Sequence, residues 1–157
     1  MNERVFVALG SNLGDRRAHL DEAAHRLGTF DRTRVVAVAP VIETPALLPP
    51  ENPTPQPDYL NTVAELSTAL EPLALLRELK ALERALGRVV TTRWAPRVID
   101  LDLVLYGERV LSVDDLTVPH PGLATRRFVL EPLLALAPHL VHPALDVRLD
   151  VLLSRLG

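Results

Sequence analysis

Val98-Ile-Asp-Leu-Asp-Leu-Val-Leu-Tyr106 alternates with a period of two, so that Asp100 and Asp102 fall on one side and Ile99, Leu101, Leu103 and Leu105 on the other. Residues two apart share a face of a strand. The segment therefore predicts a β-strand whose apolar side packs on a core and whose carboxylates stand side by side, about 6 to 7 Å apart at their bases. Gly107-Glu108 predicts a hairpin from this strand into Arg109 to Val113. Upstream, Arg4 to Leu9 is a short apolar strand, and Gly10-Ser11-Asn12-Leu13-Gly14 leads to Asp15 as the expected N-cap of a helix over about Arg16 to Leu27, with Gly28 as its left-handed stop. Arg34 to Glu43, rich in β-branched residues, predicts a second strand in which Pro40 marks an edge or a bulge.

Pro45 to Pro57 holds six prolines and predicts a loop within one domain spanning 1–157. Tyr59 to Leu66 predicts a strand with Tyr59, Asn61, Val63 and Glu65 on one face. Pro72 opens a helix whose Leu75, Leu76, Leu79, Leu82 and Leu86 form the buried stripe, with Gly87 as its stop. The order strand, helix, strand, strand, helix, strand predicts an α+β fold: a ferredoxin-like βαββαβ sandwich with a C-terminal hairpin and extra helices at Val129 to Ala137 and Leu149 to Leu156.

The 157 residues are 48% hydrophobic, and 17 basic against 20 acidic residues leave a net charge of -3. That balance lacks the basic excess of a nucleic-acid binder, so no nucleic-acid partner is expected. No stretch reaches the roughly 18 apolar residues of a spanning helix, so a cytoplasmic protein without a membrane partner is expected. With no Cys, thiolate metal sites and Cys nucleophiles are excluded. Gly-Lys-Ser/Thr occurs nowhere, which excludes a Walker P-loop. Lys80 is the one lysine, so anion contacts fall mainly to arginine.

Two ionised carboxylates on one strand face repel and call for a cation. Without Cys or a nearby His that cation is oxygen-loving, Mg²⁺ above all; the competing reading is a solvated face whose acids pair with Arg97 or Arg93. Arg88, Arg93 and Arg97 approach the same strand in sequence, and acids, arginines and Mg²⁺ are the inventory of phosphoryl transfer. Gly10-Ser11-Asn12 reads either as a phosphate-binding turn or as a plain connection. Trp94 reads as a lid over a flat ligand or a hinge, and the aperiodic stretch from Arg88 to Pro96 is expected to close over that ligand. Tyr59 and Asn61 suit a heterocycle, stacking on it and bonding its edge, or else a half-buried sheet face. His120 is confined between two prolines, whereas His139 and His142 read as surface or capping residues. Glu83 reads as a partner of Lys80 or Arg84 on a solvated helix face.

Together, Gly10-Ser-Asn-Leu-Gly14, Gln56-Pro-Asp-Tyr-Leu-Asn61, Arg93-Trp94 with Arg97 ahead of Asp100-Leu-Asp102, and Leu116-Thr-Val-Pro-His120 resemble the 6-hydroxymethyl-7,8-dihydropterin pyrophosphokinases of folate biosynthesis. The resemblance covers nearly the whole chain. It implies a monomer that moves a pyrophosphoryl group from ATP to the hydroxymethyl of a reduced pterin, releasing AMP. It also implies that Asp100 and Asp102 hold two Mg²⁺ ions with ATP, that Tyr59 and Phe128 sandwich the pterin, and that Thr44, Leu47 and Asn61 read its edge. Glu83, Trp94, Arg97, Thr117, His120 and Arg126 would contact ATP, with Arg88 and Arg97 balancing charge as AMP departs. Val90, Asp115 and Pro121 stand where the family often has a basic residue, Arg and Tyr, so the nucleotide contacts are expected to differ in detail. A two-metal phosphohydrolase, or a ferredoxin-like module that binds a small ligand, is the alternative.

Overall fold

The computed structural model describes residues 2–48, 55–87 and 96–157. Through these the chain runs β1 (Glu3–Ser11), α1 (Arg16–Leu27), β2 (Thr33–Val38), β3 (Ile42–Thr44), β4 (Tyr59–Thr68), α2 (Pro72–Ala85), β5 (Asp100–Tyr106), β6 (Leu111–Val113), β7 (Leu116–Val118), a 3-10 turn (Leu123–Thr125), α3 (Arg127–Leu136), β8 (Val141–His142), β9 (Val147–Arg148) and α4 (Leu149–Ser154). The main sheet has the order β2-β4-β1-β5, with β3 pairing on the other end of β4, and every pair in it is antiparallel. The class is α+β.

β1 sorts its residues to two cores by strict alternation. Val5, Val7 and Leu9 face α1 and α2, packing with Leu20 and Leu27, Leu75 and Leu79, and with Ala64, Leu66, Leu101 and Leu103 from the neighbouring strands. Phe6 faces the other way, with Val63 and Leu105, onto Leu130, Leu133, Leu149 and Leu152 of α3 and α4. The helices thus cover both faces of the sheet, and the burial of each leucine among them contributes about 1.5 to 3 kcal/mol.

Local chemistry explains the boundaries. Asp15 caps α1 as expected, its Oδ1 accepting the N–H of Ala18 at 3.1 Å. Gly28 departs from expectation: with φ at -72° it continues the right-handed helical region and donates to His25 O at 3.2 Å. Gly87, at φ +103°, is the left-handed residue that stops α2. Glycine 10 and Ser11 belong to β1 itself, so the strand outlasts the predicted turn.

Three further expectations are corrected. The strand read over Arg34 to Glu43 breaks at 39–41 into β2 and β3, where Pro40 has no N–H to give a ladder; Ala39 instead donates to Val63 O and accepts from Thr62 Oγ1. The C-terminal hairpin does not involve β5. β6 pairs with β7 across Asp114 and Asp115, and the positive φ of Asp114, +52°, makes that turn. Finally, Leu105 does not share the face of Ile99, Leu101 and Leu103. Phe6 pairs with Leu105 but Val7 with Leu103, so Val104 is an extra residue and the strand changes phase there: Val104 and Leu105 both join the α3/α4 core, while Tyr106 joins the other.

Candidate active site

At the end of the sheet where β1 finishes and β4 and β5 begin, the ladder sets Asn61, Gly10 and Asp100 in one row and Val63, Ala8 and Asp102 in the next. Ala8 and Gly10 are small, so the sheet surface between the Asn61 side and the acid pair is a floor rather than a ridge. A cleft of about 340 Å³ opens above it. Its lining includes Thr44, Leu47, Tyr59, Asn61, Arg97, Asp100, Asp102, His120, Arg126 and Phe128. The structure thus brings into one cleft ten residues that the sequence reading had drawn from separate parts of the chain.

The Tyr59 ring lies over Gly10. A Cβ there would come within 3.3 Å of Tyr59 Cδ1 and 3.1 Å of Asn61 Oδ1, so a side chain at 10 would push both side chains by a few tenths of an ångström. Asn61 is oriented by Thr44, donating through Nδ2 to its Oγ1 at 2.7 Å. Across the cleft Arg126 sits with its Cζ 5.8 Å from the Phe128 ring centroid. An aromatic face from β4 and another from α3 therefore bound the same space, with Arg126 at its edge.

On the acid side, Arg97 Nη1 donates to Asp100 Oδ1 at 3.2 Å, while Asp102 is exposed. The expectation that the pair stands on one strand face with an arginine beside it holds. Among the described residues no group of three or more His, Asp or Glu could hold a metal ion. Two carboxylates facing a cleft are short of a full cage, and that suits Mg²⁺, which takes one or two carboxylates and completes its octahedron with water and substrate phosphate oxygens.

A second cavity of about 280 Å³ adjoins the first and shares Asp102 and His120 with it. Leucines 76, 101, 103 and 116 give it apolar walls, and Lys80, Glu83, Asp115 and Thr117 its polar groups. The solvated reading of Glu83 is corrected here. The side chain is buried and its Oε2 accepts the N–H of Leu101 at 2.7 Å, tying α2 to the strand that carries the acids. Lys80 pairs with Asp115 instead, bridging α2 to the β6-β7 turn at the rim of this cavity.

His120 is fixed by Gly122, whose N–H donates to Nδ1 at 2.9 Å. In the neutral ring the proton is then on Nε2, which leaves a donor for the cavities. Burial pushes the imidazole below its ordinary pKa, opposed by the Asp102 charge and reinforced by Arg126. Arg88, Arg93 and Trp94, and with them the closure expected of that stretch, lie outside the described residues.

Asn12 emerges as the organiser of the site. It is wholly buried and joins three segments. Its Nδ2 donates to Gln56 Oε1 at 3.1 Å and to Pro57 O at 3.2 Å, and its Oδ1 accepts the N–H of Arg97 at 2.8 Å. Asn12 thus locks the loop before Tyr59 against the segment before Asp100. Arg16 adds a second tie, donating to Glu43 Oε2 at 2.6 Å and to Asp58 O at 2.8 Å.

A cleft lined by Tyr59 and Phe128 and an apolar cavity beside it thus meet at Asp102 and His120, an arrangement with room for two ligands. Residues 6–138 match the family model described as 7,8-dihydro-6-hydroxymethylpterin-pyrophosphokinase. The chain is 45% identical over 143 residues to the 2-amino-4-hydroxy-6-hydroxymethyldihydropteridine pyrophosphokinase of Pseudomonas aeruginosa, covering 91% of this chain and 86% of that one. It is 35% identical over 150 residues to the Bacillus subtilis protein of the same name, covering 96% and 87%. It is also 39% identical over 155 residues to the folic acid synthesis protein fol1 of Schizosaccharomyces pombe, covering 99% of this chain but 21% of that longer protein. Among solved structures, the wild-type Plasmodium falciparum HPPK-DHPS matches 99% of this chain and 41% of its own with a TM-score of 0.73 at 12% identity, a likeness of fold. The chain belongs to the 7,8-dihydro-6-hydroxymethylpterin-pyrophosphokinase family.

Proposed function

We propose that this protein transfers the pyrophosphoryl group of ATP to the hydroxymethyl oxygen of 6-hydroxymethyl-7,8-dihydropterin, releasing AMP, a step of folate biosynthesis. The observation that carries this reading is the meeting of two differently built cavities at Asp102 and His120. One, between Tyr59 and Phe128, suits a flat heterocycle whose edge Asn61, Thr44 and Leu47 read. The other suits a nucleoside against leucine walls, with Glu83 and Thr117 as its polar contacts and Arg97, His120 and Arg126 toward the phosphates. Arg88 and Trp94 complete the set of nucleotide contacts in this reading.

The chemistry is one of placement. The substrate oxygen forms a bond to the β-phosphorus, the bond from that phosphorus to the α,β-bridging oxygen breaks, and the hydroxyl proton is released. Holding the two ends in line removes most of the entropic barrier. Asp100 and Asp102 are the residues that would hold Mg²⁺, which supplies neutralisation of the triphosphate charge when bound. Arg97 and His120 present donors where negative charge grows on the leaving phosphate.

The β2-β4-β1-β5 order, antiparallel throughout with helical crossovers after β1 and β4, supports the ferredoxin-like βαββαβ description. Among the described residues no helix is long and apolar enough to cross a membrane. Family membership disfavours a phosphohydrolase or a non-catalytic ligand module. The test is incubation of the purified protein with ATP, Mg²⁺ and the hydroxymethyl pterin. Stoichiometric AMP is the expected product; orthophosphate, or no turnover of ATP, would overturn the reading.

A further inference from the structure

Gly122 has φ -90° and ψ -1°, a backbone conformation open to any residue, so its geometry does not call for glycine. Space does. A Cβ built on it would lie 2.5 Å from Arg126 Nε, 2.8 Å from Cζ and 3.0 Å from Cδ. The backbone around it is anchored on both sides. Leu123, wholly buried in the α3/α4 core, donates to His120 O at 3.0 Å, and Thr125 donates to Gly122 O at 3.2 Å. Any side chain at 122 must therefore displace the guanidinium, which stands beside the Phe128 ring at the edge of the cleft.

We propose that Gly122 is a positioning residue for Arg126: its missing side chain lets the guanidinium lie against the turn after His120, in the pose that meets the phosphates of the nucleotide. The inference rests on the ATP reading given above. The same residue anchors His120 through its N–H, which alanine would keep, so alanine disturbs Arg126 and leaves the His120 bond in place. Because the yielding group is the far end of a flexible chain, the substitution should leave the fold intact and cost only the pose.

A double-mutant cycle separates this role from a structural one. Gly122→Ala should melt within about 2 °C of the parent. It should lower kcat/KM for ATP on the order of tenfold, and Arg126→Ala should lower it at least as much. The double variant should be no worse than Arg126→Ala alone, since no guanidinium is left to displace. An equal further loss from Gly122→Ala in the Arg126→Ala background, or a Gly122→Ala enzyme with parental kcat/KM, would overturn the proposal. Should Gly122→Ala prove unstable, the clash predicts that Arg126→Ala restores its melting temperature; failure to restore it is equally adverse. A parent protein that forms no AMP defeats the ATP reading itself, whereas an active parent with an additive cycle defeats this inference alone.

Discussion

Arg97 and Asp100 form an ion pair at 3.2 Å in which 13% of the arginine side chain and 28% of the aspartate is exposed, whereas Asp102, on the same face, is open to the cleft. The two acids are thus alike in chemistry and unlike in what they hold. Alanine at either should slow AMP formation on the order of a thousandfold at saturating Mg²⁺ through lost transition-state stabilisation. Only Asp100→Ala should also cost stability, about 1 kcal/mol, because it takes a partner from a largely buried guanidinium. Single-turnover rates and urea denaturation of both variants check the pair of outcomes.

Tyr59→Ala and Phe128→Ala should each weaken pterin binding by about 1 to 3 kcal/mol, the worth of a stacked aromatic face. ATP affinity should stay near the parental value, since the leucine-walled cavity uses neither ring. Calorimetric titration with each ligand separately distinguishes this from a general loosening of the core, which would weaken both.

Asn12→Ala should destabilise the protein by about 1 to 3 kcal/mol, the cost of leaving buried groups of Arg97 and Pro57 without their bonds. It should also raise KM for the pterin, because the loop leading to Tyr59 loses its tie to the strand end. Equilibrium unfolding and steady-state kinetics read the two effects; a variant of parental stability would remove Asn12 from its organising place.

His142 is buried in the β8-β9 hairpin, where Nδ1 accepts the N–H groups of Ala144 at 3.2 Å and Leu145 at 3.1 Å. Burial holds its pKa below the ordinary value. The folded state therefore favours the neutral ring, and the stability it contributes is full above the unfolded pKa of about 6.5 and is lost as pH falls through the folded value. His142→Ala should be less stable than the parent by about 1 to 2 kcal/mol at neutral pH, the worth of the two bonds. The gap should narrow as the pH is taken down toward acid, and urea denaturation across that range measures it.

Much of the fold was legible because alternation, proline clusters and a leucine stripe act locally: the spacing of Asp100 and Asp102 announced a strand, and a candidate site only together with the arginines that precede it. What stayed hidden depends on distant partners. Asn12 bonds to residues 44, 45 and 85 positions away, and nothing near it in sequence says so. Glu83 stands among basic helix neighbours that suggest a solvated pair, whereas its side chain is buried and accepts from the backbone of Leu101. Ala8 and Gly10, two apart at the end of an apolar run, were a readable sign of a floor beneath a cleft, since large side chains there would fill it. The Val104 bulge left no trace, because one apolar residue more in an apolar strand changes phase without changing composition.

That extra residue gives β5 a reserve of length. If a codon were lost at 103 or 104, the strand could straighten, Asp100 and Asp102 would keep their side, and Tyr106, whose hydroxyl donates to Leu70 O, would keep its anchor at the cost of one buried side chain. β4 pairs with β1 from Ser11↔Leu60 to Glu3↔Thr68 without a shift and has no such slack. A codon lost between Asn61 and Ala64 would turn Tyr59 and Asn61 to the α1/α2 side and close the cleft. Insertions and deletions in descendants of this sequence should accordingly survive in β5 and be purged from β4.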